Sequence, residues 1–541
     1  MHRYPSRLLF AMCVASALAY SRAAEHADTL LTIDSGQIRG MFEAPGSPVR
    51  VFRGIPYAHP PLGELRWKPP QREEPWTGVK DCVKFAASCP QPPQRMVRDI
   101  SGPQSEDCLY LNVWTTADRG EGKPVMVWIH GGGFAIGSGS EPMYDGSAFA
   151  EDGVVEVSIN YRLGPFGFMA HPALSAESPM HVSGNYGLLD QIEALRWVQR
   201  NIEAFGGDPH KVTIFGESAG SVSVGCLIAS PLAKGLFQRA IMESGVPSSL
   251  PLLHSPGERD SSAETAGEEI ARELGIANPE GKSAAIAAKL RSESAEQLLE
   301  ASHPRIGLFG KGRRMGPAID GYVLPRDPMD TFAAGEENNV PVLLGSNADE
   351  GTLFIQEIPI KSPLGYQIVQ KMIFGDFADR VIQMFPVQSP EEVKPAVAHL
   401  VTVSAFVAPA RRAARALSAH DDDVWLYHFT RVSPVLRERN FGATHGAELF
   451  YVFKNIPKLV SPEQSDLALA NAMHAAWVRF AQQGNPNGGE LPEWPAFSTQ
   501  NDTYFEFGDR LGKGEHLMSR ECDLFDEIKA SRDHGRQPPG E

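Results

Sequence analysis

Residues 211–223 read KVTIFGESAGSVS. Val212, Ile214 and Phe215 make a short β-branched and aromatic run, the pattern of a buried strand, and the small residues after it fit the start of a helix. A serine with a glycine two positions away on each side, placed at such a corner, accepts very few backbones. The turn is so sharp that only glycine tolerates the close approach of the chain, and the serine hydroxyl is pushed outward. In a chain with 51 glycines the pentapeptide alone is a weak signal, so its surroundings decide.

Those surroundings repeat the strand-to-helix theme. Apolar strand-like runs occur at 49–55, 124–130, 154–162, 211–215, 340–346 and 424–430, and helical patterns lie between several of them, as in GLLDQIEALRWVQRNIEAF at 187–205, stopped by GGDP. Strands alternating with helices predict an α/β chain with a large, mostly parallel central sheet covered by helices on both faces. The first strands, with no helices between them, should form an antiparallel N-terminal edge. Residues 254–305, rich in Ala, Glu and Ser, read as a helical insertion with two helical patterns. No long linker or fixed-period repeat divides the chain, so one catalytic-size domain is expected over 24–528, with a disordered tail at 529–541.

Of the 541 residues 42% are hydrophobic, enough for a large core, and the net charge of −16 disfavours nucleic acid or an anionic membrane as partner. Arg3 and Arg7 ahead of LLFAMCVASALAY, with small residues near Ala19 and Ala23, predict a secretory signal over 1–23. The mature chain is expected to be exported to a periplasmic or extracellular site. No later stretch approaches the roughly 20 apolar residues of a spanning helix, so no stable membrane span is expected. Without the signal, five cysteines remain, an odd number in a compartment that permits disulfides. No C-x-x-C or H-E-x-x-H occurs, and no metal site is expected.

A serine at its free pKa is a poor nucleophile and needs a base, which in turn needs an orienting acid. With Ser218 as the candidate nucleophile, both partners should follow it in the chain, each on a loop past the end of a strand. After VPVLLGS comes NADEGTLF, which offers Asp349 or Glu350. After VWLYHFTRV comes FGATHGAELFYVF, which sets His445 among small residues. His428 lies within a strand and His474 within an amphipathic helix, where structural roles are expected. Upstream, PVMVWIH runs into HGGGF at 130–134, a loop type that supplies backbone N–H donors to an oxyanion.

Taken in order, FRGIPYAHPPLGELRWKPP, SEDCLYLNVW, WIHGGGF, INYRLGPFGF, GNYGLLDQ, FGESAG, NADEG and THGAE resemble the type B carboxylesterase family, the cholinesterase-like branch of the α/β-hydrolases. The resemblance covers nearly the whole mature chain. It implies a triad of Ser218, Glu350 and His445, selecting Glu350 over Asp349, with oxyanion donors at Gly132, Gly133 and Ala219 and no cofactor. It also implies a disulfide between Cys89 and Cys108, and ion pairs Arg66 with Glu106 and Arg162 with Asp190. Cys226 is expected to be a free, buried thiol; Cys82 and Cys522 receive no pairing. Glu217, Leu353 and Phe354 resemble secondary positions at the histidine and the acyl or alcohol pocket.

The loop between Cys89 and Cys108 has no aromatic residue, so it lacks the tryptophan that holds quaternary ammonium groups in cholinesterases. Being short, proline-rich and charged, it also differs from an interfacial lid. The expected activity is two-step hydrolysis of a soluble small-molecule ester by a monomer or weak homo-oligomer. A specialist acting on a bulky natural or xenobiotic ester is the alternative, and a non-catalytic binding protein or a serine peptidase is the rival of another kind. Activity is expected to fall as His445 gains a proton, near the free imidazole value of about 6.5.

Overall fold

The computed structural model describes residues 29–93, 102–254, 261–276, 283–305, 311–356, 358–420, 423–457 and 462–534. The expected signal segment lies outside them. The strands in chain order are β1 (Leu30–Ile33), β2 (Gly36–Arg39), β3 (Met41–Phe42), β4 (Arg50–Pro56), β5 (Val79–Asp81), β6 (Tyr110–Thr115), β7 (Lys123–Ile129), β8 (Val155–Ile159), β9 (Gly207–Glu217), β10 (Arg239–Glu243), β11 (Val342–Asn347), β12 (Val424–Phe429), β13 (Tyr504–Phe507) and β14 (Leu511–Gly514). Eleven of them form one sheet in the order β14-β13-β12-β11-β10-β9-β7-β8-β6-β4-β3, and β1, β2 and β5 form a small separate sheet.

Strands β8, β7, β9, β10, β11, β12 and β13 pair in parallel, and β8-β6-β4-β3 continue antiparallel, as the missing helices between the first strands predicted. A second antiparallel edge, β13 with β14, was not expected. It is a hairpin whose strands are too short and too mixed in polarity to stand out by pattern.

Alternation along the central strands produces two cores. Val125, Val127, Ile129, Ile214, Met242 and Leu344 face one side and pack with helices Tyr186–Asn201 and Ala219–Ala229. Met126, Trp128, Phe215, Ile241, Leu343 and Trp425 face the other, beneath helix Gln464–Gln483. Because successive strand residues point to opposite faces, a sheet buried on both sides needs nearly continuous apolar runs. That is what made these strands visible in the sequence, apart from β10, which is short and bounded by Arg239 and Glu243.

The insertion forms three helices rather than two, Ala263–Glu273, Ser283–Ser292 and Ala295–Ser302. Ser294 interrupts the second pattern by capping the third helix reciprocally with Gln297. The last helix, Ser519–His534, runs past 528 into the stretch expected to be disordered, with Cys522, Leu524, Phe525 and Ile528 anchoring it. Among the described residues one helical stretch, Pro390–His420, is long and apolar enough by length and composition to cross a membrane, and two thirds of its apolar window is buried inside the fold.

Arg66 binds Glu106 (2.7 Å) and Arg162 binds Asp190 (2.7 and 2.8 Å), both as expected. The cysteine expectation differs. Cys82, Cys89, Cys108, Cys226 and Cys522 are all buried free thiols, so Cys89 and Cys108 carry no S–S bond. They are neighbours nonetheless: a hydrogen bond with Cys89, then burial, raises the Cys108 thiol. The Leu163 N–H donates to Cys89 Sγ (3.1 Å), which satisfies that sulfur as it stands.

Candidate active site

Strand β9 ends at Glu217 and the next helix begins at Ala219, which leaves Ser218 alone at the corner. Its φ of 55° and ψ of −119° are rarely held by a residue with a side chain. The Ser218 N–H donates to Glu243 O (2.9 Å), and its carbonyl accepts from Val222 N (2.9 Å), which hold the backbone there. A Cβ on Gly220 would lie 1.9 Å from the Ile129 carbonyl oxygen, so the elbow presses on the end of β7 and only glycine fits. Between Val212 and Gly220, Ser218 is the one residue that is not buried.

Glu350 follows β11 and is fully buried. One of its oxygens accepts the Asn347 N–H (2.8 Å), and the other contacts His445 Nδ1 at 2.5 Å. The neighbouring Asp349 has a different task. Its carboxylate accepts from Ala443 N (2.8 Å) and its own N–H donates to Ala443 O (3.0 Å), stitching the acid loop to the histidine loop. The structure therefore separates two adjacent carboxylates that sequence pattern alone left equivalent.

With Nδ1 donating to Glu350, the neutral imidazole presents Nε2 as its basic nitrogen. Glu217 Oε1 lies 3.0 Å from Nε2, yet outside hydrogen-bonding direction. Burial alone would push the His445 pKa down, but the carboxylates of Glu217 and Glu350, the hydrogen bond to Glu350, and Glu448 together raise it to about 9. This replaces the free-imidazole value expected from sequence. The proximity of carboxylates has its mirror effect: burial first, then neighbouring acids, raises Glu217 to about 7 and Glu448 to about 8.

The glycine loop sits beside the elbow. Gly132 has φ 102°, and a Cβ there would lie 2.1 Å from Ile136 O, so the turn requires glycine. Its carbonyl accepts from Ala135 N and Ile136 N (both 3.1 Å), while the N–H groups of Gly132, Gly133 and Ala219 donate to no backbone carbonyl among the described residues. Gln91 braces the loop, donating to Gly137 O (3.0 Å) and accepting from Gly137 N (2.9 Å). Burial lowers His130 to about 4, so this histidine is neutral and structural.

Phe354 lies on the short helix Gly351–Phe354 with its ring centroid 5.0 Å from that of His445. Leu353, beside it on the same helix, is half-buried. Phe406, at an equal 5.0 Å from His445, stacks on Phe354 with ring planes 15° apart. Sequence reasoning missed it. It lies in a π-helical turn, Thr402–Val407, an arrangement frequent at functional sites but without a pattern of its own. Glu448 was missed as well; it accepts from Ser244 Oγ (3.2 Å) and from Asn347 Nδ2.

Comparison with known proteins places this arrangement. A sequence profile described as "Carboxylesterase family" matches residues 27–525. Fumonisin B1 esterase of Sphingopyxis macrogoltabida is 42% identical over 491 residues, covering 88% of this chain and 87% of that protein. Para-nitrobenzyl esterase of Bacillus subtilis is 38% identical over 489 residues, 86% of this chain and 92% of its own. Among solved structures, a Geobacillus stearothermophilus carboxylesterase superposes with a TM-score of 0.78 at 36% identity, covering 92% of this chain and 100% of that one.

Proposed function

The chain belongs to the carboxylesterase family and is a carboxylic ester hydrolase, and from that premise we propose that it is an exported serine esterase working through Ser218, His445 and Glu350. The observation that carries the assignment of roles is the pairing of His445 Nδ1 with a fully buried Glu350, together with the strained, partly exposed backbone corner at Ser218.

In this mechanism His445 Nε2 takes the Ser218 proton as Oγ attacks the ester carbonyl. Glu350 fixes the tautomer and stabilises the imidazolium. The N–H groups of Gly132, Gly133 and Ala219 receive the oxyanion; loss of one such donor typically slows turnover by about 100- to 1,000-fold. The imidazolium then protonates the departing alcohol, and water attacks the acyl-enzyme by the same route in reverse. Phe354 and Phe406 wall the histidine and exclude water from one side. The relative that is a fumonisin B1 esterase supports a second possibility of substrate range, a bulky natural ester, within the same chemistry.

The test is hydrolysis of p-nitrophenyl acetate, butyrate and palmitate by the purified protein, with Ser218→Ala alongside. Turnover of the short esters by the wild type and a loss of about 10,000-fold or more in the variant is the expected result. Equal rates for the two proteins would remove Ser218 from the mechanism.

A further inference from the structure

Ten large apolar side chains are exposed among the described residues. Four of them, Leu364 (67%), Ile368 (50%), Met372 (81%) and Ile373 (50%), stand on one twelve-residue helix, Pro363–Phe374. Single apolar residues scattered over a surface need no explanation, whereas a contiguous patch does. Leu364, Ile368 and Met372 are spaced by four, so they line one side of the helix over about 12 Å, and Ile373 widens the stripe.

The helix is firmly seated, so its exposure is not a sign of loose packing. Ser362 Oγ accepts the Gly365 N–H (3.1 Å) at its start, and the Arg532 guanidinium donates to Ile373 O (2.8 Å) at its end. On the inner side Tyr366 is fully buried and its hydroxyl donates to Phe385 O (2.8 Å). Tyr366 belongs to the apolar cluster that holds Phe406 and borders Phe354, the two rings beside His445. The stripe is the outer face of a helix whose inner face backs the wall of the candidate site.

Charge sets the same stretch apart. The chain has 66 acidic side chains in 541 residues, yet residues 358–375 contain none and carry Lys361 and Lys371, both exposed. Asp376 and Asp379 follow only past the helix end. An apolar stripe flanked by lysines and free of carboxylates suits the head-group region of a lipid surface, where apolar side chains enter the acyl boundary and lysine stems reach the phosphates. A second copy of this chain fits less well: four side chains offer a few hundred Å², short of about 800 Å² per partner in a stable complex. The net charge of −16 does not prevent the contact, because at about 0.15 M salt charges more than about 8 Å away are largely screened and the lipid meets the local charge.

We propose that helix Pro363–Phe374 is a docking face for a phospholipid surface, with Leu364, Ile368, Met372 and Ile373 entering the acyl boundary and Lys361 and Lys371 meeting lipid phosphates. The helix lies on the surface and does not cross it. This interaction goes beyond the esterase reading and does not depend on it.

The test is flotation of the purified protein with vesicles of four parts phosphatidylcholine to one part phosphatidylglycerol in about 0.15 M salt. The wild type should float with the vesicles, and a triple variant, Leu364→Ser with Ile368→Ser and Met372→Ser, should partition at least about 10-fold less. Lys361→Gln and Lys371→Gln should each weaken binding about 5-fold. Thermal midpoints and p-nitrophenyl acetate rates close to wild type show that the variants are folded, since none of these side chains lies in the candidate site. A wild type that stays in the soluble fraction, a triple variant that floats equally, or lysine variants that bind as the wild type does would each overturn the proposal. A wild type that ignores vesicles but is a dimer by light scattering, with a monomeric triple variant, would assign the face to a second copy instead.

Discussion

Removing the charge of Glu217 should move the acid limb of the pH profile downward. The proposed mechanism needs neutral His445, whose pKa is held at about 9 against burial chiefly by the carboxylates of Glu217 and Glu350. At the 3.0 Å separating Glu217 Oε1 from Nε2, two unit charges in an effective dielectric of about 20 interact by about 5.5 kcal/mol, equivalent to about 4 pH units. That is a ceiling. Glu217 is itself raised to about 7, so it carries its full charge only above that pH, and only part of the coupling acts on the limb. A downward shift of about 1 to 2 units is expected for Glu217→Gln, because an imidazolium that loses an anionic neighbour releases its proton at lower pH. The assay is kcat/KM for p-nitrophenyl acetate from pH 5 to 10, read by pH-stat. Glu350→Gln is the contrast, since losing the group that orients Nδ1 should lower kcat by about 10,000-fold. A limb in Glu217→Gln that stays in place, or rises, refutes the electrostatic account of His445.

Gly220→Ala should destabilise the fold by about 3 kcal/mol or leave the protein insoluble, since its Cβ would meet the Ile129 carbonyl at 1.9 Å; a thermal midpoint equal to wild type would show that the elbow is looser than described. Glu448→Gln should raise the thermal midpoint at pH 8 to 9 but not at pH 5. The folded pKa of Glu448 is raised to about 8, so its ionisation costs stability as pH climbs from the unfolded value of about 4.3 through the folded one; an equal change at both pH values would count against that.

What the sequence made legible follows from burial. Central strands covered on both faces are apolar at nearly every position, so β7, β8, β9, β11 and β12 stood out while β10, five residues bounded by Arg239 and Glu243, did not, and the elbow could be placed because strand, glycines and helix impose separate constraints on the same few residues. The hairpin β13-β14 was hidden because it lies at an edge and mixes polarity. Ser294 split a helical pattern through a cap whose partner, Gln297, is an ordinary helix residue. Asp349 and Glu350 are chemically alike and adjacent; only the distance of each to the histidine loop tells them apart. Phe406 reaches His445 from 39 positions before it in the chain, and nothing local marks it.

The parallel register explains why the site carries more acid than a triad needs. Glu217, Glu243, Gly345 and Tyr427 are mutual partners across β9, β10, β11 and β12, and so form one row at the carboxyl ends of the strands. Glu243 accepts from Trp477 Nε1 (2.8 Å) with one oxygen, while its other oxygen and the Tyr427 hydroxyl have no protein partner. Burial and neighbouring acids hold Glu243 well above the usual carboxylate range. Apolar side chains of similar size would pack such a row with less loss of stability. Of this row, Glu217 makes physical sense once His445 is considered with it, because with Glu350 and Glu448 it keeps the imidazole basic inside a core whose own effect is to acidify it. A histidine in an apolar version of this row would remain neutral, but would be a weaker base toward the proposed nucleophile Ser218.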